Sequence, residues 1–242
     1  MPTGKDVTLP ATGAAAAGVA YASLPARPTR GIVVVHEIFG RSPEIDGVVD
    51  RFAAQGYAAV APVLFKSLLN PVCIRRTMLT MSTGAGPFVD RIRGARAWLC
   101  QETGLQEDQI GLIGFCLGGG FALASGSGWA AVSTNYGDVP KVDVMKGIGP
   151  VIGCYGGRDV PFAKTGQKLE RALAPLGVEV RTHTYPTAGH AFLTDGHHPV
   201  AEALFRPILH VRYDPAVAED AWSRILEFMD RHLARKDRHA AG

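Results

Sequence analysis

The chain has 242 residues, 47% of them hydrophobic and 19% charged, enough apolar material for one sizeable core, which excludes disordered, collagenous and coiled-coil classes. Its formal net charge is +3 and its arginines are scattered apart from Arg75-Arg76, so no nucleic-acid-binding face is expected. No run approaches the roughly 18 apolar residues of a membrane span, and the first residues lack the basic start and apolar stretch of a secretory leader. Cys73, Cys100, Cys116 and Cys154 lie far apart without a Cys-x-x-Cys pair, so free thiols in a soluble, cytoplasmic protein are expected, with neither a structural zinc site nor a disulfide framework.

In chain order, residues 7–9 and 18–24 alternate weakly between glycine and proline breaks, which predicts two short antiparallel strands. Residues 31–36 form a continuous β-branched run, as in a central strand buried on both faces of a parallel sheet. Ser42-Pro43-Glu44 then opens a helix through Ala54, stopped at Gly56, and residues 57–62 read as the next strand. Residues 63–87 lose their period and are broken by Pro71, Gly84, Gly86 and Pro87; a site-covering segment is expected there. Apolar residues at helical spacing mark 88–101, and the strand 109–113 leads into a sharp glycine-rich turn. Further strands are expected at 129–134, 151–156 and 178–185, and helices at 164–176 and 216–233.

Strands alternating with helices over residues 1–242 predict a single α/β domain: a doubly wound, mostly parallel central sheet with helices on both faces. In such sheets the working residues sit on loops beyond the carboxyl ends of the strands.

The turn Gly114-Phe115-Cys116-Leu117-Gly118 follows a strand and opens a helix, so its cysteine occupies the nucleophile position of the Gly-x-nucleophile-x-Gly pattern. A thiol with an ordinary pKa of about 8.5 is mostly protonated at neutral pH, so it needs a base. His190 stands in a turn after a predicted strand, in Ala188-Gly189-His190-Ala191-Phe192. An orienting carboxylate falls between nucleophile and histidine in alpha/beta-hydrolases. Asp159, in the loop Gly156-Gly157-Arg158-Asp159 after the strand at 151–156, fits that order. Taken singly, a cysteine after a strand is usually a small core residue and an aspartate before Val-Pro a turn former. The order and strand-end placement of the three favour a Cys116, His190, Asp159 triad.

Together with His36-Glu37-Ile38-Phe39-Gly40 and Gly56-Tyr57-x-x-x-Ala61-Pro62-x-Leu64-Phe65, these motifs resemble the dienelactone hydrolase (carboxymethylenebutenolidase) family over nearly the whole chain. The resemblance implies an alpha/beta-hydrolase fold, no cofactor, and opening of cyclic enol esters through an acyl-enzyme. It implies roles for Cys116 as nucleophile, His190 as base and Asp159 as orienting acid. It also gives Glu37 a part in deprotonating the thiol when substrate binds. The oxyanion hole is then expected from the backbone N–H groups of Ile38 and Leu117. The sequence departs from the family at Thr194, where an arginine that helps bind the substrate carboxylate is expected, and Arg75 and Arg76 do not align securely with a second such arginine.

No metal is expected: Gly40 stands where the second histidine of His-Glu-x-x-His would be, and His197-His198 with Glu202 is a weaker candidate than solvated loop histidines. The expected function is a cysteine-dependent hydrolase of carboxylic esters or lactones acting on a small molecule, as monomer or homodimer. A thioesterase of the same fold, or a non-catalytic ligand-binding or redox-sensing protein using Cys116, are the alternatives. Residues 195–214 are expected to form a flap or a subunit contact.

Overall fold

A computed structural model of the chain describes residues 4–65, 71–195 and 209–233. Its centre is an eight-stranded sheet in the order β1-β2-β4-β3-β5-β6-β7-β8. These strands are β1 (Lys5–Leu9), β2 (Gly18–Ser23), β3 (Arg30–Val35), β4 (Tyr57–Pro62), β5 (Ile110–Phe115), β6 (Val132–Asn135), β7 (Val151–Gly156) and β8 (Val180–Tyr185). The first two strands run antiparallel to their neighbours, and all pairings from β4 to β8 are parallel.

The continuous apolar run of β3 has a simple cause. Val33 and Val35 point into one hydrophobic layer, with Phe88 and Ile92 from helix α3 (Pro87–Thr103) and Phe121 from helix α4 (Leu117–Ser125). Ile32 and Val34 point into the opposite layer, with Val48 and Phe52 from α1 (Pro43–Ala54). A strand sandwiched between two helical layers has no polar face to alternate with.

Helix α1 begins as read, with Pro43 in its first turn after Ser42, and Gly56 follows it at φ 85°. Helix α3 ends at Gly104, which takes the left-handed conformation that closes the last turn. The strand expected at 129–134 is shorter and later: β6 starts at Val132, and Trp129 precedes it.

The segment 63–87 differs from expectation. Pro71–Thr83 is a helix, α2, of which Thr80 is the buried residue, while Val72, Ile74, Met78 and Leu79 are exposed. A helix that buries so little carries no amphipathic period to read, and that is why its pattern looked broken. The remaining helices are α5 (Thr165–Leu173), followed by a 3-10 turn at Ala174–Leu176, and α6 (Pro215–His232), whose Trp222, Ile225, Phe228 and Met229 cover the same face of the sheet as α1. Among the described residues no helix is long and apolar enough to cross a membrane.

Candidate active site

The carboxyl ends of β3, β5, β6 and β7 converge on one group of side chains. Phe115 ends β5 and the chain turns at Cys116, whose backbone sits at φ 52°, ψ −120°. Positive φ in a non-glycine residue costs energy and persists where the surroundings impose it. Here they do: the Cys116 N–H donates to Asn135 O at 2.9 Å, and Asn135 Nδ2 donates to Gly114 O at 3.0 Å, so the end of β6 holds both sides of the turn. The flanking glycines are required by contact. A Cβ on Gly114 would lie 1.9 Å from Gly118 O, and one on Gly118 would lie 2.4 Å from Val35 O. Leu117 follows in the first turn of α4, where backbone N–H groups have no partner within the helix.

Asp159 lies in the loop after β7 and is fully buried; His190 lies after β8 and is 5% exposed. The Nδ1 of His190 is 2.6 Å from Asp159 Oδ2, which fixes the proton on Nδ1 and leaves Nε2 as the ring's basic nitrogen. That Nε2 is buried and makes no hydrogen bond of ordinary geometry. The Cys116 sulfur is nonetheless near enough to act on the ring. Burial pushes the His190 pKa down, but Cys116 and the Asp159 carboxylate push it up more, to about 10. Cys116 and His190 are therefore neighbours, although no hydrogen bond of ordinary geometry joins them.

Glu37 and Ile38 follow β3 after His36 and are half-buried. The Tyr136 hydroxyl, just past β6, lies 3.5 Å from Glu37 Oε1. Tyr136 is fully buried with φ 44°, its ring 4.8 Å from that of His190. Its pKa is raised well above the ordinary value, by burial first and then by the Glu37 carboxylate, with Cys116 adding to the effect and the Thr194 hydroxyl opposing it. Tyr136 thus touches or senses Glu37, Cys116, His190 and Thr194 together. Tyr136 lies beyond the strand end expected at Thr134; a tyrosine just past the carboxyl end of the strand next to the nucleophile strand is the sequence signal that marks it.

Of the residues singled out in the sequence, Cys116, His190, Asp159, Glu37, Ile38, Leu117 and Thr194 all lie at this end of the sheet. Arg75 and Arg76 lie on exposed faces of α2. His197, His198 and Glu202 lie outside the described residues, as does most of the segment 195–214. Among the described residues no group of three or more His, Cys, Asp or Glu side chains gathers as a metal-binding cluster.

The sheet order and the strained turn after β5 define an alpha/beta-hydrolase. Residues 18–233 match the model of the dienelactone hydrolase family, and the chain belongs to that family. It is 30% identical over 238 residues to a "Putative carboxymethylenebutenolidase" of Methylorubrum extorquens, covering 88% of this chain and 76% of that one. It is 29% identical over 222 residues to a protein of the same name from Yersinia pestis, covering 83% of this chain and 78% of that one. Among solved structures, a dienelactone hydrolase-like promiscuous phosphotriesterase from metagenomic libraries superposes with a TM-score of 0.74 over 96% of this chain and 100% of that one, at 20% identity, a likeness of fold.

Proposed function

We propose that this protein is a cysteine-dependent hydrolase of carboxylic esters or lactones that works through an acyl-enzyme, in the cytoplasm, where its four free thiols stay reduced. The observation that carries the reading is the 2.6 Å bond from His190 Nδ1 to buried Asp159, beside a cysteine on a strained strand-to-helix turn.

Substrate binding brings the carbonyl carbon to Cys116. The thiol proton passes to His190 Nε2, with Glu37 taking part, which leaves a thiolate beside an imidazolium whose other nitrogen is held by Asp159. The thiolate attacks the carbonyl carbon; the π pair moves to oxygen and is met by the N–H groups of Ile38 and Leu117. Collapse of the tetrahedral adduct breaks the bond to the leaving oxygen, which receives the proton from His190, and an enol leaving group makes that departure easier. Water, deprotonated by the now neutral imidazole, then attacks the thioester and releases the acid. These steps call on no cofactor.

Thr194 stands where the family resemblance expects an arginine, so no cation comes from that position to meet a substrate carboxylate. Turnover of activated aryl esters and lactones by the wild type and by Cys116→Ala tests the reading: turnover should vanish in the variant, and undiminished turnover there would remove Cys116 from the mechanism.

A further inference from the structure

His36 is the last residue before Glu37 and is 1% exposed. Its Nδ1 is 2.8 Å from the Glu37 carbonyl oxygen, and its Nε2 is 3.0 Å from the Leu64 backbone N. These partners determine the tautomer by chemistry alone. A carbonyl can only accept, so Nδ1 carries the proton; an amide N–H can only donate, so Nε2 is bare. The ring is neutral. Burial pushes its pKa down to about 4, the bond to the Glu37 carbonyl opposing only in part. Its edge packs against Phe65 at 4.8 Å between ring centroids, which holds the plane of the imidazole.

The consequence lies in the geometry of one peptide bond. The Glu37 carbonyl and the Ile38 N–H belong to the same planar unit and point in opposite directions. Whatever fixes that oxygen also fixes where the N–H points. The oxygen is held twice, by His36 Nδ1–H and by the Gly40 N–H at 3.2 Å. The His36 ring ties this turn to the chain just beyond β4, and the His36 carbonyl lies against the first turn of α4, where a Cβ on Gly118 would come within 2.5 Å of it. The loop bearing Ile38 is thereby tied to Leu64 and packed against α4, the helix that begins at Leu117, the other expected donor.

We propose that His36 is the positioning residue of the oxyanion hole: its imidazole bridges the Glu37–Ile38 peptide to the Leu64 amide and so aims the Ile38 N–H at the oxygen of the tetrahedral adduct. The proposal rests on the acyl-enzyme reading above. A buried histidine that only fills the core would also be neutral and satisfied, so the test must separate aim from packing.

Two reactions of Cys116 do that. Alkylation by iodoacetamide displaces iodide at a saturated carbon and builds no oxyanion, whereas single-turnover acylation by an activated aryl ester does. The ratio of the two rate constants reads the oxyanion hole free of changes in the thiol. His36→Leu removes both bonds, His36→Asn is too short to span both partners, and His36→Gln keeps a donor and an acceptor at about the right reach. Because misplacing a reacting contact by about 1 Å costs on the order of 100-fold, acylation should fall roughly 10- to 100-fold in His36→Leu while alkylation stays within about twofold of wild type. His36→Gln should recover part of the loss. Should His36→Leu not fold, His36→Asn gives the same ratio with an expected fall of the same sign.

An unchanged ratio in that variant, or acylation and alkylation falling together, overturns the positioning role. Wild type that is acylated on Cys116 with such an unchanged ratio would sink this inference alone. Full turnover in Cys116→Ala would sink the acyl-enzyme reading, and this inference with it.

Discussion

His190 Nδ1 stands 2.6 Å from Oδ2 of Asp159, a carboxylate with no exposed surface, so the imidazole of the candidate triad is held in one tautomer and one orientation. Asp159→Asn offers an amide N–H where the acceptor was, which favours the tautomer with the proton on Nε2, the nitrogen that must be basic. We predict a fall in kcat on the order of 10³- to 10⁴-fold with a much smaller change in KM, read by steady-state hydrolysis of an aryl ester. A change of less than about tenfold would mean that Asp159 does not orient the base.

The His190 pKa, raised to about 10, depends on Cys116 as well as on Asp159. Replacing the thiol by hydrogen leaves the lowering effect of burial less opposed. In Cys116→Ala the titration of the His190 ring, followed by NMR, should therefore move to lower pH than in wild type. A titration that stays put or moves up would contradict the placement of the thiol beside this ring.

His36 carries the opposite shift, from 6.5 to about 4. Between these two values the unfolded chain binds a proton at this position that the folded chain does not, so the group's contribution to stability is present above pH 6.5 and is lost as pH falls towards 4. The full contribution is about 3 kcal/mol. Urea midpoints measured from pH 7 to pH 4 should fall more steeply for wild type than for His36→Gln, which has no group to titrate there. Parallel curves would show that His36 is not buried and neutral.

Gly118→Ala tests the turn by contact. The new Cβ would meet Val35 O at 2.4 Å and His36 O at 2.5 Å, both backbone atoms that cannot swing aside. A destabilisation of about 1–3 kcal/mol is expected for such overpacking, or a drop in Tm of roughly 2–12 °C for a chain of this size. Calorimetry reads it. A Tm within a degree of wild type would mean that α4 does not approach β3 this closely.

Much of this architecture was legible because it depends on local pattern. The β-branched run of β3 and the glycines around Cys116 are one-dimensional signals with a direct steric meaning, and Asp159 and His190 followed from the order of strands. Helix α2 was not legible, since a helix with Thr80 as its buried residue leaves no periodic trace. Tyr136 lies just past both the expected strand end at Thr134 and the observed end of β6 at Asn135, where no periodic pattern marks it. His36 entered the sequence reading only as part of a family motif and of a failed metal motif. What it does depends on Leu64, 28 positions away, and on which of its ring nitrogens meets a donor. Contacts of that kind come from tertiary packing and leave no local spacing to find.

The central claim is that Cys116 carries an acyl group during turnover. Mass spectrometry of the protein quenched shortly after mixing with a slowly deacylating aryl ester tests it most directly. The acyl mass should appear on the peptide containing Cys116, decay at the rate of product release, and be absent from Cys116→Ala, which should not turn over. Hydrolysis that proceeds at the wild-type rate in the variant, or with no acyl mass on Cys116 at any time, would contradict the account.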